Sequence, residues 1–181
     1  MGAGYYYRMY RDAKQGMEGE KRVIQLLKSK FNDNYFLIND VVYVNKRGNK
    51  ENIDHVVLGP NGVFAIETKD WRGKITYKDG YWTVPFPYGR SPSRQARGNA
   101  AWVKKTIDAS GVSESLKIAL FVKPIVVFSN PDVELERIDP EGEVVKLDEL
   151  ADSMTSYNRY DFSIEQLKAM GNAITKKAQN M

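Results

Sequence analysis

The sequence predicts an α/β domain, a sheet flanked by helices, on three observations. A helical apolar period covers residues 12–31. Several short strand-like runs follow between residues 35 and 84. A capped helix over 91–109 then precedes a wholly apolar run at 124–128.

Each element has a local reason. Val23, Ile24, Leu27 and Phe31 form one apolar stripe on the first helix. Glu20 lies on that stripe, three residues before Val23, whereas Glu18, Lys21, Arg22 and Lys28 lie off it. Gly16 and Gly19 cost about 1 kcal/mol each in a helix, so a close helix approach is expected there. A frayed first turn with Glu20 favoured by the dipole is the plainer alternative. Strands are expected at 35–44, 53–58, 63–69 and 74–77, with a short one near 81–84. Ser91 caps the second helix and Pro92 suits its first turn. Ala96, Ala100, Val103 and Ile107 form its core stripe. The apolar run 124–128 reads as a central strand covered on both faces. Another strand is expected at 144–147, and Asp148 as the cap of a short helix. The last helix starts at the Ser163/Gln166 capping box, with Phe162 and Leu167 as its staple, and runs to about 177.

Composition narrows the chemistry. The 181 residues fit one domain; 42% are hydrophobic and 28% charged. There is no cysteine and one histidine, His55. Disulfides, thiol catalysis and Cys/His zinc sites are excluded, and no P-loop, dinucleotide fingerprint or nucleophile elbow is present. No apolar run reaches the length of a membrane span. The first residues lack a signal-peptide core and a myristoylation pattern, so the expected location is the cytoplasm. The net charge of +4 is uneven: residues 1–110 hold 19 Lys/Arg against 11 Asp/Glu, and the remainder holds 8 against 12. Arg90, Arg94, Arg97, Lys104 and Lys105 fall in one stretch without an acid, which suits a polyanion or an ordinary solvated helix face.

The stretch 53–75 concentrates the candidates. Asp54 and Glu67 each sit in an apolar strand, flanking the turn Gly59-Pro60-Asn61-Gly62. A buried carboxylate needs a partner or a metal. If Leu58 opposes Val63, Asp54 and Glu67 are cross-strand neighbours roughly 5 Å apart at Cβ. If instead Asn61-Gly62 is a two-residue turn, Asp54 faces Lys69. Glu67 and Lys69 share a strand face in both registers. Two readings stay open: an Asp-Lys-Glu ion-pair network, or a divalent cation held by two carboxylates. His55 points away from Asp54 and is expected to be a buried, hydrogen-bonded residue. Trp71, Trp82 and Trp102 are expected in the core.

These residues also resemble a family. The order of a helix acid, a strand Asp and an E-x-K strand is similar to the PD-(D/E)xK nuclease fold, a restriction-endonuclease-like αβββαβ core with a mixed central sheet. More closely, the chain resembles the nuclease-related domain family, NERD. The matching pieces are Gly16-x-x-Gly19-Glu20, Ile53-Asp54-His55, Gly59-Pro60-Asn61-Gly62-Val63-Phe64, Glu67-Thr68-Lys69-Asp70-Trp71, Gly73-Lys74-Ile75 and Gln95, within residues 12–130. Ile53 stands where the superfamily's name has proline. The resemblance implies Asp54, Glu67 and Glu20 at a Mg²⁺ or Mn²⁺ ion, Lys69 activating water, and Gln95 positioning water or substrate. It implies hydrolysis of phosphodiester bonds in nucleic acid, DNA foremost, with the basic 90–105 stretch along the backbone. A binding module with a weak or vestigial site is the alternative. Relatives of the fold often dimerise, which leaves a homodimer open. The expected organisation is an arm over 1–11, with Tyr5, Tyr6, Tyr7, Arg8, Tyr10 and Arg11, and one domain over 12–181. Its core would be 12–130, with an extension over 131–181 to which the resemblance assigns no role.

Overall fold

The computed structural model describes residues 3–31, 33–86, 88–138 and 143–179, with side chains from Gly16 onward. Helix α1 spans Ala3–Lys30, followed by β1 (Phe36–Val44), β2 (Lys50–Gly59), β3 (Gly62–Lys69), β4 (Gly73–Lys78) and β5 (Tyr81–Thr83). Then come α2 (Pro92–Ala109), the single turn α3 (Val112–Ser115), β6 (Val122–Phe128), β7 (Val133–Ile138) and β8 (Val144–Lys146). A 3₁₀ turn at Leu147–Glu149 leads into α4 (Leu150–Thr155), and α5 (Ile164–Gln179) ends the chain.

The strands form two sheets. The larger has the order β1-β2-β3-β6-β8, antiparallel through β3 and parallel beyond it. This is the expected αβββαβ order with a mixed sheet flanked by helices. The smaller sheet, β5-β4-β7, includes a strand that the alternating and partly exposed VELERI segment did not announce. α1 starts at Ala3, so the backbone of residues 3–11, expected as an arm, continues the helix. The side chains of Tyr5, Tyr6, Tyr7, Arg8, Tyr10 and Arg11 lie outside the described residues.

Burial follows the sequence periods. On one face of the large sheet, Val56, Leu58, Val63 and Ala65 pack with Ala100, Val103 and Ile107 of α2 and Leu167, Met170 and Ile174 of α5. On the other, Val57, Phe64, Ile66 and Val127 pack with Val23 and Leu27 of α1 and Leu150 and Met154 of α4. Trp71, Trp82 and Trp102 all join core clusters. β6 is covered on both faces, as its uninterrupted apolar run requires. The capping box of α5 is formed in both directions: Ser163 N–H donates to Gln166 Oε1 at 2.8 Å, and Gln166 N–H to Ser163 Oγ at 3.3 Å.

The turn between β2 and β3 fixes the register. Leu58 opposes Val63 and Gly59 opposes Gly62, leaving Pro60 and Asn61 as the loop. Both glycines are required by close approach. A Cβ at Gly59 would lie 2.2 Å from the Tyr35 ring, and one at Gly62 would lie 2.7 Å from Tyr157. Asn61 ties the turn to the C-terminal segment. Its Nδ2 donates to the carbonyls of Met154 (2.6 Å) and Tyr157 (2.8 Å), and its Oδ1 accepts from Tyr35 Oη at 2.9 Å.

Candidate active site

The site forms where β2 and β3 part. Their ladder stops at His55 opposite Ile66, one step short of Asp54 and Glu67. Beyond that point Asp54 turns its carboxylate into the ladder, and Oδ2 accepts the backbone N–H of Thr68 at 2.7 Å. The observed register is the one that makes Asp54 and Glu67 neighbours. β3 stays paired with β6 over Val63–Lys69 while its pairing with β2 ends at Ile66, and Asp54 satisfies the Thr68 N–H that the β2 ladder no longer meets.

Glu67 is 2% exposed. Lys69 Nζ donates to its Oε1 at 2.6 Å, and Asn99 Nδ2 donates to its Oε2 at 3.2 Å. Lys69 Nζ also donates to Gln95 Oε1 at 3.5 Å, which puts the first turn of α2 over the site. Asp54, Glu67, Lys69 and Gln95 are therefore brought together. Glu20 joins them electrostatically from α1. Burial first, then the charges of Asp54 and Asp40, push its carboxyl up to about 7, against a small opposing effect of Lys69. Burial and the Asp54 charge likewise push Glu67 up to about 7, opposed by Lys69. Burial raises Asp54 as well, with the Thr68 hydrogen bond opposing it. Burial is the largest cause of the upward shift for all three carboxyls, and the Asp54 charge adds to it at Glu20 and Glu67.

Two neighbours escaped the sequence reading. Asp40 lies on β1 at the step between the pairs Asn39–His55 and Val41–Ile53, with φ of 54°. Its own strand gave no signal, since it follows an asparagine in an ordinary apolar run. Asn99 did leave a signal. It stands four residues after Gln95, inside the buried stripe of α2, and is 2% exposed. Its Oδ1 accepts from Tyr43 Oη at 3.1 Å.

His55 is fully buried, and its Nδ1 bonds Asn39 Oδ1 at 2.8 Å. Burial lowers its pKa to about 4, which keeps it neutral and fits the expected structural role. The basic stretch is less free than its sequence suggests. Arg90 pairs with Glu51, Arg97 with Glu143 at 2.6 Å, and Lys104 with Asp108 one turn on. Arg94 and Lys105 are exposed on α2 with no ion pair found for them among the described residues.

The donor set suits a hard divalent cation, which takes carboxylate oxygens and keeps much of its water. Among the described residues, no three His, Cys, Asp or Glu side chains converge on one point. Asp54 and Glu67 could hold such an ion with water completing its shell, and Glu20 lies near enough to feel the Asp54 charge.

Comparison with known proteins agrees with this organisation. The family model described as nuclease-related domain matches residues 15–129. An uncharacterised protein of Bacillus anthracis is 34% identical over 71 residues, 38% of this chain and 34% of that protein. A probable kinase, PglW, of Streptomyces coelicolor is 26% identical over 144 residues, 76% of this chain and 9% of that protein. The chain thus spans about a third or less of the curated relatives it matches. No solved structure matches it.

Proposed function

Because the chain belongs to the nuclease-related domain family, we propose that it hydrolyses phosphodiester bonds of DNA with Mg²⁺ or Mn²⁺ held by Asp54 and Glu67. One observation carries the reading. Glu67 is a nearly water-free carboxylate beside Asp54, with the Lys69 ammonium 2.6 Å from it, where two strands part. A divalent ion there supplies Lewis acidity, which neutralises phosphate charge and strengthens water as an acid. Lys69 orients the attacking water and stabilises the charge that develops at phosphorus. Gln95, in contact with Lys69, positions that water or the substrate. Glu20, half-buried with a pKa of about 7, can hold or release a proton near neutral pH. Arg94 and Lys105 offer exposed cations to the phosphate backbone, with Arg90, Arg97 and Lys104 lending charge from within their pairs. The reading is of a cytoplasmic protein, and two copies would address two strands.

The test is cleavage of linear, single-stranded and branched DNA with Mg²⁺ or Mn²⁺. Asp54→Ala and Lys69→Ala should each lose at least about a hundredfold in rate. Cleavage that persists unchanged in both variants overturns the proposal.

A second reading has its own observation. Both Glu67 oxygens already have donors, Lys69 and Asn99, so the acid is compensated without an ion. On that reading the domain binds nucleic acid or a partner, with a weak or vestigial nuclease site. Titration with Mn²⁺ in a calorimeter separates the two. No heat of ion binding, together with salt-sensitive DNA affinity, favours the module.

A further inference from the structure

Glu67 has two oxygens and two donors, and the donors differ in whether they can leave. Lys69 is a flexible four-carbon chain whose side chain is 19% exposed. It has a second partner within reach, Gln95 Oε1 at 3.5 Å. Asn99 has no such freedom. It is 2% exposed, held on α2 between the buried residues Ala96, Ala100 and Val103.

Its amide is also locked against rotation. Tyr43 Oη donates to Asn99 Oδ1 at 3.1 Å, so a flip would set Oδ1 against the Glu67 carboxylate, acceptor facing acceptor. Tyr43 is held in turn. It is 6% exposed and stacks on Trp102 of α2, with ring centroids 4.8 Å apart and planes 28° apart. A relay from β1 through α2 to β3 therefore grips Oε2 of Glu67 and leaves Oε1 as the oxygen that Lys69 can yield.

We infer that Asn99 is a positioning residue that sets ion selectivity: it presents Glu67 to a divalent cation through Oε1 alone and so favours Mg²⁺ or Mn²⁺ over Ca²⁺. The physical basis is the difference between the ions. Mg²⁺ demands compact octahedral geometry and accepts one oxygen per carboxylate readily. Ca²⁺ collects more oxygens and takes carboxylates in bidentate fashion. Holding Oε2 occupies one of its lone pairs and fixes the carboxylate plane, which disfavours bidentate binding. The inference rests on the metal reading above, and its test separates the two.

The experiment measures Mn²⁺ and Ca²⁺ affinity of the full chain by calorimetry, for wild type, Asn99→Ala and Tyr43→Phe, with thermal melts to establish folding. Asn99→Ala should bind Mn²⁺ roughly tenfold more weakly while Ca²⁺ affinity holds or rises. Tyr43→Phe keeps the stacked ring, loses only the hydroxyl, and should shift the ratio in the same direction by less. Should Asn99→Ala fail to fold, the Tyr43→Phe ratio carries the test. Equal losses for both ions, the signature of a merely structural residue, overturn the inference, as does an unchanged ratio. A wild-type chain that binds neither ion overturns the metal reading and this inference with it. A wild-type chain that binds Mn²⁺, with variants that keep its ratio, overturns the inference alone.

Discussion

Glu20 shows what the site costs the fold. Its carboxyl is raised from 4.5 to about 7, chiefly by burial and then by Asp54 and Asp40. The folded state therefore binds that proton more tightly than the unfolded chain does. The contribution to stability is fully present below pH 4.5 and is lost as pH rises to 7. His55 runs the other way in an overlapping window. Its pKa falls from 6.5 to about 4, so its contribution is present above 6.5 and is lost as pH falls through 4. The two trends partly cancel in the wild type, so a variant is needed to see either. Glu20→Gln keeps the shape and cannot ionise. In metal-free buffer at pH 8 it should melt roughly 1–3 °C above wild type, and the gap should close at pH 4.5. Thermal melts at both pH values check this. A gap that is the same at both would mean the charge is not its cause.

Between elements, one close approach depends on a glycine of α1. A Cβ on Gly19 would lie 2.6 Å from Ser129 Oγ and 2.9 Å from Asp70 Cβ. Here α1 meets the ends of β3 and β6. Arg22 seals the contact by donating to Asp70 Oδ1 at 2.7 Å, and Ser129 Oγ donates to the same oxygen at 3.3 Å. Gly16 has nothing within 4 Å of its absent Cβ. The expectation of close approach at both glycines is therefore corrected: Gly19 needs to be glycine for packing, and Gly16 does not. Gly16→Ala should stabilise the chain by up to about 1 kcal/mol, and Gly19→Ala should destabilise it by about 1–3 kcal/mol. Urea unfolding of the two variants reads the opposite signs, and two shifts of the same sign would contradict the assignment. The pair also marks what sequence can convey. Spacing identified α1, the capped α2 and the shared face of Glu67 and Lys69, because these follow from periods within ten or so residues, and it narrowed the β2–β3 register to two choices, of which the structure takes Leu58 opposite Val63. The partners of Gly19 and Asn99 lie across the fold, at Ser129 and Glu67, and no local period encodes them. Arg97 shows the same limit, since its partner Glu143 lies 46 residues away.

At the scale of the whole molecule, the family match ends at residue 129 but the packing does not. β8 pairs with β6 through Val126–Val144, Val127–Val145 and Phe128–Lys146, so the large sheet closes on a strand beyond the match. The turn whose sequence is so recognisable, Gly59-Pro60-Asn61-Gly62, serves that same extension. Asn61 Nδ2 holds the Met154 and Tyr157 carbonyls, and the Pro60 carbonyl accepts Phe162 N–H at 2.8 Å. The extension buries Val144, Val145, Leu150, Met154, Phe162, Leu167, Met170 and Ile174, each under a tenth exposed. At about 1.5–3 kcal/mol per buried side chain, these eight account for roughly 12–24 kcal/mol of gross apolar stabilisation. These eight side chains thus belong to the buried core beyond the end of the family match. A chain ending at residue 130 would also leave β6, wholly apolar over Ile125–Phe128, as an open edge that invites aggregation. Such a chain should show no cooperative thermal transition and weak far-ultraviolet circular dichroism, whereas the full chain melts cooperatively. A cooperative melt of the shortened chain would show that the first 130 residues fold alone, and that the C-terminal strand and helices are an accessory to the site.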